Sequence, residues 1–511
     1  MSKGRQTASG VIWNWIALAS SFAVSFFLSP FIVHRLGTVL YGVWALVAGL
    51  TSYMSLMDLG LRGAIVRFVS RSHAQGDHEN SSLTVSGALW LRQWISLGVI
   101  LLSVLFSFLL TRFFQIPVEA QSAARWAVIL SGTGIAISLY LGVFGGVLTA
   151  LHRFDLSSAV TLTQTALRAG GAIFVLWRGY GFLGLAVSDL CVLVLAYLAQ
   201  TYFCFRIYPQ LRIRLQYPGL EILRQFAGYS FWVFLLHIFA QVIYYTDNLV
   251  VGAVVSVAAV TFYSIGSSLI EYLRTIVASL TTTFLPLASR YQASGEFAEL
   301  RKLLQLGTRV AIAVALPVQV ALFFRGQTFI NLWMGPQYGL TSGRVLQILL
   351  IAQLFTVANS TSMNVILGMA EHRRIAIWAG GEAVVNLILS ILLARRIGIY
   401  GVAVGTVIPS LIAQVFLWPR YVCHLVGAPL RGYLWRAWIQ PFGAAVPFGI
   451  ACLLTNRYWS AQHLATFFLQ IAAILPVYLV AVFFLFRGEI LGEIKKRTNW
   501  FSSSDPSVRS T

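Results

Sequence analysis

The sequence predicts an all-α integral membrane protein with about 14 transmembrane helices, built as two copies of one helical bundle. Three observations carry that prediction. Hydrophobic residues make up 58% of the 511 positions and charged residues only 10%, and mean hydropathy is +0.78, a balance that excludes a water-soluble globular domain. A bilayer core takes roughly 20 apolar residues to cross. Fourteen stretches of that kind centre near residues 22, 49, 98, 135, 167, 193, 238, 270, 314, 355, 385, 411, 446 and 476. Finally, the chain repeats itself. Ser70 and Arg71 lie 219 positions before Ser289 and Arg290, and Ala150, His152 and Arg153 lie 220 before Ala370, His372 and Arg373. Gly42 to Ala45 meets Thr261 to Ser264 on the same ruler, as Tyr180 and Gly181 meet Tyr400 and Gly401. Internal repeats in a membrane chain mark secondary transporters, whose site lies where the repeats meet.

Taken in order, the first span follows Lys3 and Arg5 and runs on to Val33 past Asn14, Ser21 and Ser25, so it reads as an uncleaved helix rather than a signal peptide. The fifth carries Thr161, Gln164, Thr165 and Arg168 at i, i+3, i+4 and i+7, one helical face. The seventh repeats that rhythm with His237, Gln241, Tyr244 and Asn248, and Asp247 lies beside the last. Ser264, Ser267, Glu271, Arg274 and Thr282 share a side of the eighth. Weaker stripes follow in the tenth (Gln353, Thr356, Ser360, Asn364) and the eleventh (Glu382, Asn386, Ser390). Such polar faces serve either as glue between helices or as the wall of a wet interior.

Charge sets orientation. With a cytoplasmic N-terminus, 23 of the 36 Lys and Arg fall on the cytoplasmic side and nine opposite, which satisfies the positive-inside rule with both termini cytoplasmic. Four arginines remain inside spans: Arg92, Arg168, Arg274 and Arg309. A charge at mid-bilayer costs about 2.5 to 3.5 kcal/mol on insertion scales and so faces protein or water. Arg92 and Arg309, near span ends, are expected to snorkel to headgroups. Glu271 and Arg274, three apart, can neutralise each other, and Asp58 and Arg62, four apart, are expected to pair. Arg168 stands out because no acid lies one turn away. Guanidinium offers a bidentate fork to phosphate, and the chain uses 32 Arg against 4 Lys; a cationic interior would suit an anionic lipid. The net charge of +20 therefore signals membrane topology, not nucleic acid. The four cysteines, Cys191, Cys204, Cys423 and Cys452, show no metal or disulfide spacing, and no Walker A sequence is present.

Several runs resemble a known family. Leu36, Gly37, Tyr41, Gly42, Trp44, Ala45 and Leu46, followed by Leu56, Asp58, Gly60, Leu61, Val66, Arg67 and Phe68, are similar to the polysaccharide flippases of the multidrug/oligosaccharidyl-lipid/polysaccharide (MOP) exporter superfamily. Leu148, Ala150, Arg153, Phe154, Asp155 and Leu156 look like that family's loop between spans four and five.

The resemblance implies a MATE-like bundle: a six-helix lobe at 1–205, a cytoplasmic linker at 206–225, a second lobe at 226–424, two appended helices at 425–487 and a disordered basic tail at 488–511. It implies translocation of undecaprenyl-pyrophosphate-linked oligosaccharide across a bacterial cytoplasmic membrane, without cofactor or nucleic acid and alongside other polysaccharide assembly proteins. Arg168 and Arg274 are the candidates for pyrophosphate, with Gln164, Gln241 and Asn248 beside them on the stripes. Asp189, Asp247, Glu271 and Glu382 are the candidates for ion coupling, and Arg153 and Arg373, at equivalent loops, for headgroup anchoring or gating. A peptidoglycan-precursor flippase and a cation-coupled drug exporter share the fold. The exporter would want an acidic cavity. A membrane glycosyltransferase or polymerase would want a large outer loop with paired acids, and the outer loops here are short.

Overall fold

A computed structural model of the chain describes residues 3–58, 60–214 and 231–502, all of it helix, turn or loop. Residues 215–225 of the expected linker lie outside the described residues, as do the side chains of Asn14 and of the tail from 488, and all of 503–511.

One helical run, Lys3–Ser52, carries the first span and opens the second. They part at Gly37, whose φ of 76° is left-handed and costs a residue without Cβ little. A short 3₁₀ turn, Tyr53–Asp58, and the helix Leu61–Ala74 complete the second. Spans three to six are His78–Phe113, Val118–Ala150, Phe154–Trp177 and Gly181–Ile207. Spans seven and eight are Phe231–Val254 and Val257–Thr281, with a short helix Phe284–Ala293 after them. Spans nine to eleven are Phe297–Met334, Pro336–Gly368 and His372–Ile397. The twelfth runs Ile399–Ile412 and Trp418–Val426, the thirteenth Leu430–Tyr433 and Gln440–Tyr458, and the last Leu464–Ser502. That last helix extends into the tail expected to be disordered. Among the described residues 12 runs are long and apolar enough to cross a bilayer; the first, Trp15–Ala74, holds two spans. Val257–Thr281 is not among them, since Glu271, Arg274 and its serines dilute its apolar content.

Spans twelve and thirteen each swell into a π turn, Ala413–Leu417 and Leu434–Ile439, just before Pro419 and Pro441. A helical proline clashes with the carbonyl four residues back and donates no hydrogen bond. Widening the turn relieves the clash: Trp418 N–H bonds Ala413 O and Gln440 N–H bonds Trp435 O, each five back. The Gln414 carbonyl is left without a backbone donor, and Asn359 Nδ2 supplies one at 2.7 Å.

The repeat is visible in backbone hydrogen bonds. Gln75, Gly76 and Asp77 N–H bond the carbonyls of Arg71, His73 and Ser72, and 219 residues later Ser294, Gly295 and Glu296 bond Arg290, Gln292 and Tyr291. At the next such loop the offset is 218. Leu151, His152 and Arg153 bond Val147, Thr149 and Leu148, while Met369, Ala370 and Glu371 bond Val365, Leu367 and Ile366. His152 and Ala370 accordingly share a left-handed φ, 56° and 62°. This corrects the offset of 220: the mate of Arg153 is Glu371, not Arg373. The letters align at 220 because Ala, His and Arg recur by chance two places on; the hydrogen bonds register the turn itself.

Packing groups the chain into two compact units, Met1–Ile265 with His372–Thr406, and Gly266–Glu371 with Val407–Thr511. This grouping cuts across the lobes expected from the repeat, because the seventh and eleventh spans pack with the first six. In the first unit Leu61, Ile65, Val69, Val85, Leu89, Val143, Val147, Leu148 and Cys204 form a buried core joining spans two, three, four and six. Here the two repeat copies touch reciprocally. Thr261 Oγ1 donates to Thr38 O, and a Cβ on Gly42 would lie 2.1 Å from Val257 O. Residues 38 and 257, and 42 and 261, are repeat mates, so the two contacts exchange under a two-fold, the mark of an isologous interface.

Candidate functional site

The fifth-span arginine is not alone. Arg168 Nε and Nη2 lie 3.1 and 2.9 Å from the two carboxylate oxygens of Asp189, a fork-to-fork pair between spans five and six. The periodicity of one helix could not reveal a partner on the next. The pair is lopsided: the Arg168 side chain is 61% exposed and Asp189 24%. Two of five guanidinium N–H groups are used, so the fork still offers three. Thr161 and Thr165 bond back to carbonyls of their own helix, Thr165 Oγ1 also lies 3.2 Å from Ser21 Oγ, and Gln164 has no hydrogen-bond partner among the described residues.

The seventh-span stripe divides. Gln241 Nε2 donates to Ser52 Oγ, and Tyr53 OH meets Thr246 Oγ1, tying this helix to the second span. Asn248 carries a buried Oδ1 without a donor among the described residues. Asp247, 5% exposed, accepts from Tyr263 OH on the eighth span, and Thr406 Oγ1 on the twelfth lies 2.8 and 2.9 Å from its oxygens. No basic side chain pairs with it among the described residues. A buried carboxylate bonded only to hydroxyls carries a charge that low-dielectric surroundings penalise by several kcal/mol. A proton or a bound cation removes that penalty, so this constellation can exchange either. Tyr263 and Thr406 were missed because a tyrosine and a threonine in apolar spans carry no distinguishing spacing.

Glu271 and Arg274 pair within the second unit, the neutralising role open to them from sequence. Glu382 is half-buried, and one turn on Asn386 is 1% exposed with both amide atoms unpartnered among the described residues. The 218-residue register of this region makes Gln164 and Arg168 the mates of Glu382 and Asn386, so polar positions duplicate although the charges do not.

Arg92 and Arg309 miss their expected places for one physical reason, that both lie inside the bundle. Arg92 does not snorkel: it is 2% exposed, bonds Leu139 O and pairs with Asp58, displacing Arg62 from that role. Arg309 is 8% exposed, donates to Leu485 O at 2.9 Å and stacks 4.7 Å from the Phe486 ring. Arg325 is likewise fully buried, bonded to Gln470 Oε1 and stacked on Phe467. Arg153 forks onto Asp155 at 2.9 and 3.0 Å, and Arg373 lies over the Trp232 ring.

Residues 35–342 match the family of polysaccharide biosynthesis proteins. The chain belongs to that family. This polysaccharide biosynthesis protein is 22% identical over 396 residues to the putative O-antigen transporter of Shigella flexneri, covering 77% of its own length and 92% of the relative's. It is likewise 22% identical over 460 residues to the uncharacterized membrane protein EpsK of Bacillus subtilis, with 85% and 87% covered. Among solved structures it is similar to the lipid II flippase MurJ in an inward closed conformation, with TM-score 0.72, 16% identity and coverage of 94% and 100%. An inward-facing multidrug resistance MATE transporter of the MOP superfamily follows at TM-score 0.69, 16% identity and coverage of 79% and 95%. The family protein thus has the MOP exporter fold and is a multi-pass membrane protein.

Proposed function

We propose that the protein is a flippase that moves undecaprenyl-pyrophosphate-linked oligosaccharide across a bacterial cytoplasmic membrane by alternating access, within a surface-polysaccharide assembly pathway. The observation that carries the reading is membership of the polysaccharide biosynthesis family on a MOP exporter fold, with a putative O-antigen transporter among its relatives. The sugar-pyrophosphate head crosses within protein while the prenyl tail stays in lipid.

Arg168, held by Asp189 and largely exposed, engages the pyrophosphate through its free N–H groups. Gln164 lies one turn before it, and Arg274, Gln241 and Asn248 are the further head-group candidates. Asp247 is the coupling group. Among the described residues its hydrogen bonds come from hydroxyls alone, whereas Asp189 and Glu271 are already committed to arginines, and Glu382 stands as its second on the eleventh span. Two arginines stand against four acids at the candidate positions, so the cargo reading rests on family and on the exposed fork rather than on a cationic interior.

The test is transbilayer movement of labelled lipid-linked oligosaccharide in vesicles holding the purified protein. Movement no faster than in protein-free vesicles would sink the proposal. Movement of the peptidoglycan lipid precursor alone would keep the flippase and change its cargo. The lipid-linked intermediate that accumulates on depletion names the glycan.

A further inference from the structure

After the sixth span the chain leaves the helix at Tyr208 and continues without regular structure through Arg214. It lies along the first turns of His78–Phe113. Tyr208 OH is 2.8 Å from His78 Nδ1, Arg212 N–H donates to Ser82 Oγ at 3.1 Å, and Arg214 N–H donates to Ser86 Oγ at 3.0 Å. Residues 78, 82 and 86 are successive turns of one helical face. Tyr208 and Leu211, 1% and 4% exposed, anchor this strap in the core of the first unit.

Because the strap docks through backbone N–H groups, the arginine side chains are spared. Both are exposed, and neither guanidinium has a hydrogen-bond or carboxylate partner among the described residues. They line a cavity of about 610 Å³ with His78, Glu79, Ser82 and Leu83. The helix end is not itself the attraction, since Asp77 Oδ1 already takes the Asn80 N–H at 2.8 Å. From the cavity an apolar stripe climbs the third span. Leu83, Trp90, Trp94, Leu97 and Leu101 follow at i, i+7, i+11, i+14 and i+18, and all but the half-buried Trp90 are prominently exposed.

We infer that this cavity binds a phosphate group, and that an acidic phospholipid supplies it, its headgroup held by Arg212 and Arg214 and one acyl chain lying along the stripe. Two guanidiniums match phosphate oxygens in geometry and charge, against one opposing carboxylate at Glu79. The positive-inside bias assigns this end of the span to the cytoplasmic leaflet, where acidic lipids meet basic pockets. A basic pocket opening onto an apolar stripe fits a headgroup joined to a chain better than it fits a free anion.

The full-length protein, extracted from vesicles of phosphatidylglycerol, cardiolipin and phosphatidylethanolamine, is examined by native mass spectrometry for retained lipid. The wild type is expected to retain acidic lipid, and Arg212→Gln with Arg214→Gln to retain about tenfold less or lower still. Glu79→Gln is expected to retain more, a direction that misfolding cannot mimic. Equal retention in all three overturns the site. Binding of radiolabelled inorganic phosphate that the double variant loses, without retention of acidic lipid, keeps the phosphate site and overturns lipid as its source. No cargo enters the measurement, so its failure leaves the flippase proposal untouched.

Discussion

Asp189 and Asp247 are the same chemical group in consecutive membrane spans, held under opposite conditions. Asp189 meets Arg168 in a bidentate pair that is open on the arginine side. Asp247 is almost fully buried and, among the described residues, hydrogen-bonds only to the hydroxyls of Tyr263 and Thr406. The first carboxylate has its countercharge in place and serves to hold a guanidinium still. The second has none among the described residues, and a proton or a cation would relieve its charge. What an intramembrane acid does therefore depends on the helix packed against it rather than on its depth. The same lesson applies across the repeat: at mated positions the first copy has Arg168, oriented by Asp189, and the second has Asn386, buried with its amide unpartnered among the described residues.

Five variants would break or sharpen this contrast. The largest effect is expected from Asp247→Asn, which keeps the shape and abolishes charge exchange; transport in reconstituted vesicles should fall to background at unchanged membrane abundance. Substantial gradient-driven transport in that variant would remove Asp247 from coupling. Next, Arg168→Ala should abolish complementation of glycan export without lowering abundance, and the swap Arg168→Asp with Asp189→Arg should restore abundance but not export. Restored export would make the pair purely structural. Tyr263→Phe removes one donor to a charged acceptor, a hydrogen bond of about 1.5 to 3 kcal/mol. The concentration of coupling ion or proton for half-maximal transport should therefore shift by about tenfold or more, with the maximal rate retained; an unchanged dependence separates Tyr263 from the exchange. The smallest effect on transport is expected at Asn359→Ala. It leaves the Gln414 carbonyl of the π turn unsatisfied and should destabilise the protein by about 1 to 3 kcal/mol, seen as a lower melting temperature. An unchanged melting temperature would mean that water replaces the amide.

The spans were legible because a bilayer demands long apolar helices with internally satisfied backbones, a constraint that composition alone reveals. Two details escaped. Gly37 divides one helical run into two spans, and Glu271 with Arg274 makes the eighth less apolar than the others. The repeat was legible too, but its offset was misread at Ala150 and Ala370, because recurring letters and recurring turns differ there by two residues. Of the candidate residues, Arg168 and Asp247 were visible as charges in apolar helices, and Glu271 with Arg274 as neighbours three apart. Asp189 was visible as an acid but not as the partner of Arg168, and Asn359 fell outside the tenth-span stripe although it holds the π turn.

The sequence by itself determined what the membrane enforces: helices of spanning length, their number, the charge bias of their connections and the duplication that builds the bundle. These are properties of single helices against lipid, where periodicity and hydropathy suffice. Only the tertiary structure decided which charges are paired, as in Arg168 with Asp189 and Arg92 with Asp58, and which stand uncompensated, as Asp247 does. Lateral contact between helices in lipid is set by close packing and by individual polar bonds rather than by hydrophobic burial. Those contacts are short, specific and non-local, and they leave no period in the sequence.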